Sequence, residues 1–115
     1  MDRGDLYLAD VPFREDPTRG KTRIVLVVKL LSDDKVLVVE SRGKPHPNLE
    51  LIGAVDFSRR GYAGRPYRGT SHFYLENVRI LDRKIFRNPI AGLTPADFKV
   101  FFDKIDPYVR QFDNP

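Results

Sequence analysis

The sequence predicts a mainly β fold with one helix: a small, strongly bent antiparallel sheet or partly closed barrel, with the C-terminal helix covering one opening. Three observations carry this expectation. Short runs of β-branched and aromatic residues recur from Asp5 to Leu81. Gly, Pro, Asp and Asn separate these runs at turn spacing. The only clear helical period, Phe98, Phe101, Phe102 and Ile105, lies near the end of the chain.

The first strand is expected over Asp5–Phe13, with Pro12 marking an edge or bulge at its end. Arg14 to Lys21 forms a loop, signalled by Asp16-Pro17 and Gly20. Thr22–Leu31 is apolar at both parities and is therefore expected as a central strand buried on both faces. Ser32-Asp33-Asp34-Lys35 turns the chain, and Val36–Ser41 returns it as a hairpin. Arg42 to Asn48 carries Gly43, Pro45 and Pro47 and cannot continue the strand.

Leu49–Phe57 is expected as a fourth short strand, and Thr70–Leu81 as extended chain with a break at Glu76-Asn77. Asp82–Phe86 reads as a short helical turn or a last strand. For the helix, Thr94 is suited to the N-cap, Pro95 to the first helical position and Asp97 to the positive end of the dipole. Pro107 marks its expected end. Beyond it, Tyr108, Val109 and Phe112 either finish the core or join a dimer contact.

At 115 residues the chain fits a single domain over 1–115 with a core of its own. It has no cysteine, which excludes disulfides, cysteine-ligated zinc and cysteine nucleophiles, and suits a reducing cytoplasm. The longest apolar run, Ile24 to Val28, is too short to cross a bilayer, so a soluble, unprocessed protein without a membrane partner is expected. His46 and His72 are far apart in sequence, and no His/Asp/Glu spacing points to a metal or another cofactor.

The net charge of +4 is modest, but its placement is uneven. Arg59, Arg60, Arg65 and Arg68 fall in an acid-free segment that also holds Tyr62 and Tyr67 among glycines. Guanidinium groups meet phosphates and phenol rings stack on bases, so the segment suits a single-stranded nucleic acid or another polyanion. The plainer reading is a solvated basic loop.

Gly4-Asp5-Leu6-Tyr7-Leu8, followed after a polar loop by Lys21-Thr22-Arg23-Ile24-Val25, resembles the start of the MazF/PemK (Kid) family of toxin ribonucleases. There a Gly-Asp-hydrophobic strand precedes a Lys-x-Arg-Pro-hydrophobic strand. This chain has Ile24 in place of the Pro. The order of segments agrees with the family's SH3-like barrel, shared with CcdB, over nearly the whole chain. The resemblance implies a homodimeric, metal-independent endoribonuclease that cleaves single-stranded RNA and binds a cognate antitoxin. Products with 2′,3′-cyclic phosphate and 5′-hydroxyl ends are implied.

The resemblance also nominates residues. Arg23 matches the family Arg implicated in phosphate binding and catalysis, a role suited to a permanently charged, two-pronged donor. The alternative is a strand-end cation that pairs with Asp5 or Glu15. Ser41, in Glu40-Ser41-Arg42, falls near the family's Thr-Ser-Gln-like stretch, with a register that allows a shift of one.

Aligned on Val78-Arg79-Ile80-Leu81-Asp82, the family's second catalytic Arg becomes Tyr74 and a nearby Asp becomes Glu76. His72, two residues before Tyr74, shares its face in a regular strand, and imidazole exchanges protons near neutrality. Proton transfer is thus expected from Tyr74, His72 or Glu76. The lack of an Arg at Tyr74 keeps a second function open: a non-catalytic barrel that binds nucleic acid or an acidic protein, or inhibits gyrase as CcdB does.

Overall fold

The computed structural model describes residues 1–57 and 69–113. The chain forms β1 (Asp5–Pro12), β2 (Gly20–Leu30), β3 (Lys35–Arg42), β4 (Leu51–Asp56), β5 (Thr70–Asp82) and β6 (Phe86–Gly92), followed by a helix, α1 (Pro95–Asp113). All strand pairs are antiparallel, in the order β4-β5-β3-β2-β1-β6. A short 3-10 turn, Arg83–Ile85, links β5 to β6. The expected mainly β fold, a small antiparallel barrel-like sheet with a C-terminal helix, is the one observed.

Alternation along the strands divides the apolar side chains between two cores. Ile24, Leu26 and Val28 of β2 join Leu37 and Val39 of β3, Phe73 of β5, and Phe101, Ile105 and Val109 of α1. Val25 and Val27 face the other way, with Ala9, Val11, Val36, Val38 and Leu81. Continuous hydrophobicity in β2 therefore reflects burial on both faces, as expected for an inner strand. Gly53 allows α1 to approach the sheet, because a Cβ there would lie 2.7 Å from the Phe101 ring. Phe101 in turn meets Phe73 edge to face at 5.7 Å.

Two elements depart from the expectation. β6 was not foreseen as a full strand, since Pro89 lies inside it; at the sheet edge its missing N–H removes no interior ladder bond. The helix does not stop at Pro107 but continues to Asp113. Ile105 and Val109 on either side of Pro107 are both buried in the main core. Burying a Val side chain contributes about 1.5–3 kcal/mol, the same order as the ~3 kcal/mol that an interior Pro costs. An Arg110–Asp106 ion pair at 2.8 Å, one turn apart, adds to the continued helix. At the other end the Thr94 hydroxyl accepts the Asp97 N–H at 3.2 Å, the expected N-cap.

The feature that positions the site is an interruption in the β3–β5 ladder. Val39 pairs with Val78 and Ser41 with Phe73, so Glu40 alone stands opposite the four residues from Tyr74 to Asn77. The β5 side has three residues more than the β3 side, an odd number. The extra length therefore exchanges the two faces of β5: Phe73 joins the helix-side core before it, whereas Leu81 joins the opposite core after it.

Candidate active site

On the face away from α1, the ends of β1, β2, β3 and β5 enclose a cleft of about 260 Å³ lined by Pro12, Phe13, Arg14, Glu15, Arg23, Glu40, Arg42, Asn77 and Arg79. Strand register explains the gathering. Arg23 is paired with Ala9, Glu40 with Val25, and Arg79 with Val38, and all three pairing partners belong to the core on this face. The polar trio thus continues the apolar rows of three neighbouring strands where those rows reach solvent.

The Arg23 guanidinium donates to the Ser41 carbonyl at 3.3 Å. Among the described residues it makes no ion pair, which leaves donors for an incoming anion. Arg79 donates to the Pro12 carbonyl at 2.9 Å and lies 3.6 Å from a Glu40 carboxylate oxygen. Their side chains are 17% and 12% exposed, so solvent screens this pair far less than a surface pair. Asn77 donates to the Glu40 carbonyl at 3.4 Å, which holds the irregular stretch of β5 against β3.

Arg14 reaches across to the Val78 carbonyl at 3.3 Å. Together with Arg79→Pro12, this ties the end of β1 to β5 from both sides. Four guanidiniums, from Arg14, Arg23, Arg42 and Arg79, face two carboxylates, Glu15 and Glu40, so the cleft is net positive. It combines a carboxylate able to accept a proton with several fixed cations able to hold a phosphate. Among the described residues no group of three or more His, Cys, Asp or Glu is placed to hold a metal ion.

The residues nominated from the sequence are distributed unevenly around this cleft. Arg23 lines it. Ser41 does not: its parity places it with Leu37 and Val39, and it is buried, while its neighbours Glu40 and Arg42 line the cleft.

Tyr74, expected to share proton transfer, is not among the lining residues. It is 2% exposed and its hydroxyl accepts the His46 N–H at 2.7 Å, which pins the β3–β4 connection instead of facing the cleft. Glu76 is exposed within the irregular stretch and is not among the lining residues. His72 pairs with Arg42 across β3 and β5, so it lies on the cleft's side of the sheet, beside Arg42 and not among the lining residues. Its Nδ1 is buried without a hydrogen-bond partner among the described residues. Arg59, Arg60, Tyr62, Arg65, Tyr67 and Arg68 lie outside the described residues.

Sequence reading missed Glu40 and Arg79. Regular alternation from Phe73 assigns Arg79 to the helix side, and only the three-residue excess brings it to the cleft. The signal available in the sequence was Glu76-Asn77, recognised as a break but not as a change of face.

No helix among the described residues is long and apolar enough to cross a membrane. No protein-family model matches the chain, and no curated protein matches it in sequence. In structure, the chain is similar to an endoribonuclease in complex with its cognate antitoxin, from a mycobacterial species. The match has a TM-score of 0.57 at 16% sequence identity and covers 93% of this chain and 90% of that one. At that identity the likeness establishes a shared fold over nearly the full length of both chains.

Proposed function

We propose that this protein is a MazF/PemK-like endoribonuclease that cleaves single-stranded RNA without a metal ion, and that it works in the cytoplasm as a homodimer of single-domain subunits under the control of a cognate antitoxin. The observation that carries the reading is the meeting of Arg23, Glu40 and Arg79 in one cleft, on a fold shared with an endoribonuclease described in complex with its antitoxin. The second arginine expected of such a site, absent at Tyr74, is supplied by Arg79 from the other side of the β5 irregularity.

The chemistry needs a base, a cation and an acid. Glu40 accepts the proton of the ribose 2′-hydroxyl, and the freed O2′ attacks the adjacent phosphorus. Arg23 and Arg79 stabilise the extra negative charge on the five-coordinate phosphorane. The bond from phosphorus to O5′ then breaks, leaving a 2′,3′-cyclic phosphate on one product. His72, across from Arg42, returns a proton to O5′ to give the 5′-hydroxyl on the other. The positive charge that a metal would otherwise supply comes from guanidiniums.

The reading is tested by incubating purified protein with a long single-stranded RNA in EDTA, beside Arg23→Ala and Glu40→Gln variants. Discrete fragments from the wild type, reduced about 10²–10³-fold in rate by either substitution, are expected. Salt-sensitive RNA binding with no cleavage would instead make the protein a binding module, and gyrase binding without RNA affinity would make it an inhibitor.

A further inference from the structure

We infer that Asn77 is a positioning residue for Glu40: its side-chain amide braces β3 at the rung left open by the irregular stretch of β5, and so holds the base beside the 2′-hydroxyl it deprotonates. This inference rests on the ribonuclease reading of the cleft and adds to it a residue that carries none of the chemistry itself. Glu40 needs such a brace. Lys35–Val39, Ser41 and Arg42 all have register partners on β5, and Glu40 alone among the residues of β3 has none. On its other side the register with β2 ends at the Val25–Glu40 pair. The strand is therefore least supported at the residue that carries the base. Because Glu40 is buried, its carbonyl must be met from within the protein.

Side chains supply the missing support. The Asn77 amide donates to the Glu40 carbonyl at 3.4 Å, and the Arg23 guanidinium donates to the next carbonyl, that of Ser41, at 3.3 Å. The first donor comes from β5 and the second from β2, the two neighbours of β3 in the sheet. Consecutive carbonyls of β3 are thus held from opposite sides, as ladder bonds would hold them.

Asn77 can brace Glu40 because the stretch that carries it is itself pinned. Before it, the Tyr74 hydroxyl accepts the His46 N–H at 2.7 Å and the Leu75 N–H donates to the Glu50 carbonyl at 3.1 Å. After it, the Val78 carbonyl accepts from Arg14 at 3.3 Å and Arg79 donates to the Pro12 carbonyl at 2.9 Å. The residue type also fits. An amide offers donors on a short stem without charge, whereas a carboxylate would turn an acceptor toward the carbonyl and set a negative charge among the cations. The substrate phosphate competes for the Arg79 contact to the Glu40 carboxylate, 3.6 Å apart. It does not compete for the Asn77 contact, which is made to the backbone.

The test compares the wild-type chain with Asn77→Ala, Asn77→Gln, Thr94→Ala, Glu40→Gln and the Glu40→Gln/Asn77→Ala double variant. Cleavage of a decanucleotide is measured on the folded fraction, and binding by fluorescence anisotropy with a 2′-O-methyl decanucleotide that cannot be cleaved. Misplacing a reacting group by about 1 Å can cost ~10²-fold in rate, so Asn77→Ala should lower kcat about 10–10²-fold. Affinity for the 2′-O-methyl strand should stay at the wild-type value, because Asn77 acts on Glu40 and not on the RNA. Asn77→Gln, whose extra methylene lets the amide close the long contact, should recover most of the lost rate. In the Glu40→Gln background Asn77→Ala should cost nothing further, since a residue that acts through the base has no effect once the base is gone. Thr94→Ala, which loosens α1 on the opposite face of the sheet, should keep wild-type kcat.

Wild-type kcat in Asn77→Ala, or Asn77→Gln no faster than Asn77→Ala, would overturn the inference and leave the ribonuclease reading intact. An undiminished further loss on top of Glu40→Gln, or weaker binding of the 2′-O-methyl strand, would make Asn77 a contact to the RNA and also overturn it. A matching fall in kcat in Thr94→Ala would assign the loss to general destabilisation, with the same consequence. A wild type that cleaves nothing would refute the ribonuclease reading and the inference with it.

Discussion

Arg79→Ala should damage stability and activity by separable mechanisms. The substitution deletes the 2.9 Å bond to the Pro12 carbonyl and the ionic contact 3.6 Å from Glu40. A hydrogen bond from a charged donor contributes about 1.5–3 kcal/mol. Leaving a buried charge without its partner costs about 3–5 kcal/mol, reduced here because the Glu40 side chain keeps 12% exposure. The two effects overlap and do not sum; with Glu40 partly solvated, the expected loss is about 3–5 kcal/mol, large against the ~5–15 kcal/mol that stabilises a domain.

Urea unfolding would measure that loss, with cleavage rates taken on the fraction folded. Removing one electrostatic stabiliser of the phosphorane should lower kcat about 10²–10³-fold in addition. Glu40→Gln/Arg79→Met removes both charges while keeping most of the volume. It should recover stability to within about 1–2 kcal/mol of wild type but restore no activity. Wild-type cleavage by Arg79→Ala, or activity returning with stability in the double variant, would refute the assignment of Arg79 to the reaction.

Other predictions follow from the packing. Gly53→Ala should destabilise the protein by about 1–3 kcal/mol by urea unfolding, because the new methyl meets the Phe101 ring, and Phe101→Leu in the same chain should recover part of the loss. Tyr74→Phe leaves the His46 N–H without its 2.7 Å acceptor and should cost about 1–3 kcal/mol, with faster amide exchange at His46 as the local signature. Thr94→Ala should cost about 1 kcal/mol through loss of the helix cap, read as a lower urea midpoint.

The Lys35–Asp82 pair should add a small pH dependence. Its hydrogen bond, with the Lys35 charge, holds Asp82 below its ordinary 3.8. The carboxylate's contribution is therefore present above that value and lost as pH falls through the lowered one. The same hydrogen bond raises Lys35 above 10.5, so its contribution is present below that value and lost as pH rises through the raised one. Asp82→Asn should flatten the stability profile at both ends, and an unchanged profile would contradict the pairing.

The fold was legible where local pattern and tertiary environment agree. The hairpin of β2 and β3 announced itself through apolar residues at both parities and the Ser32-Asp33-Asp34 turn, and α1 through its cap and aromatic period. β6 was obscured by Pro89, whose missing donor is tolerated in an edge strand. The extension of α1 past Pro107 depends on Val109 finding the core, a tertiary contact that no local rule contains.

The site was half legible for a related reason. Arg23 stands in a regular strand, so its sequence position fixes its face. Arg79 follows four β5 residues opposed to one on β3, and Ser41 lies directly between the two residues that reach the cleft. Position in sequence could nominate the neighbourhood, but only the register assigned the side chains.

The central claim is tested most directly by mass analysis of the ends produced from an RNA oligonucleotide in EDTA, beside the same oligonucleotide with a single 2′-deoxy sugar at the scissile position. The account predicts a 2′,3′-cyclic phosphate and a 5′-hydroxyl from the first and no cleavage at that position in the second, since Glu40 then has no 2′-hydroxyl to activate. Cleavage of the deoxy-substituted strand at the same position, or products with 5′-phosphate ends, would contradict it.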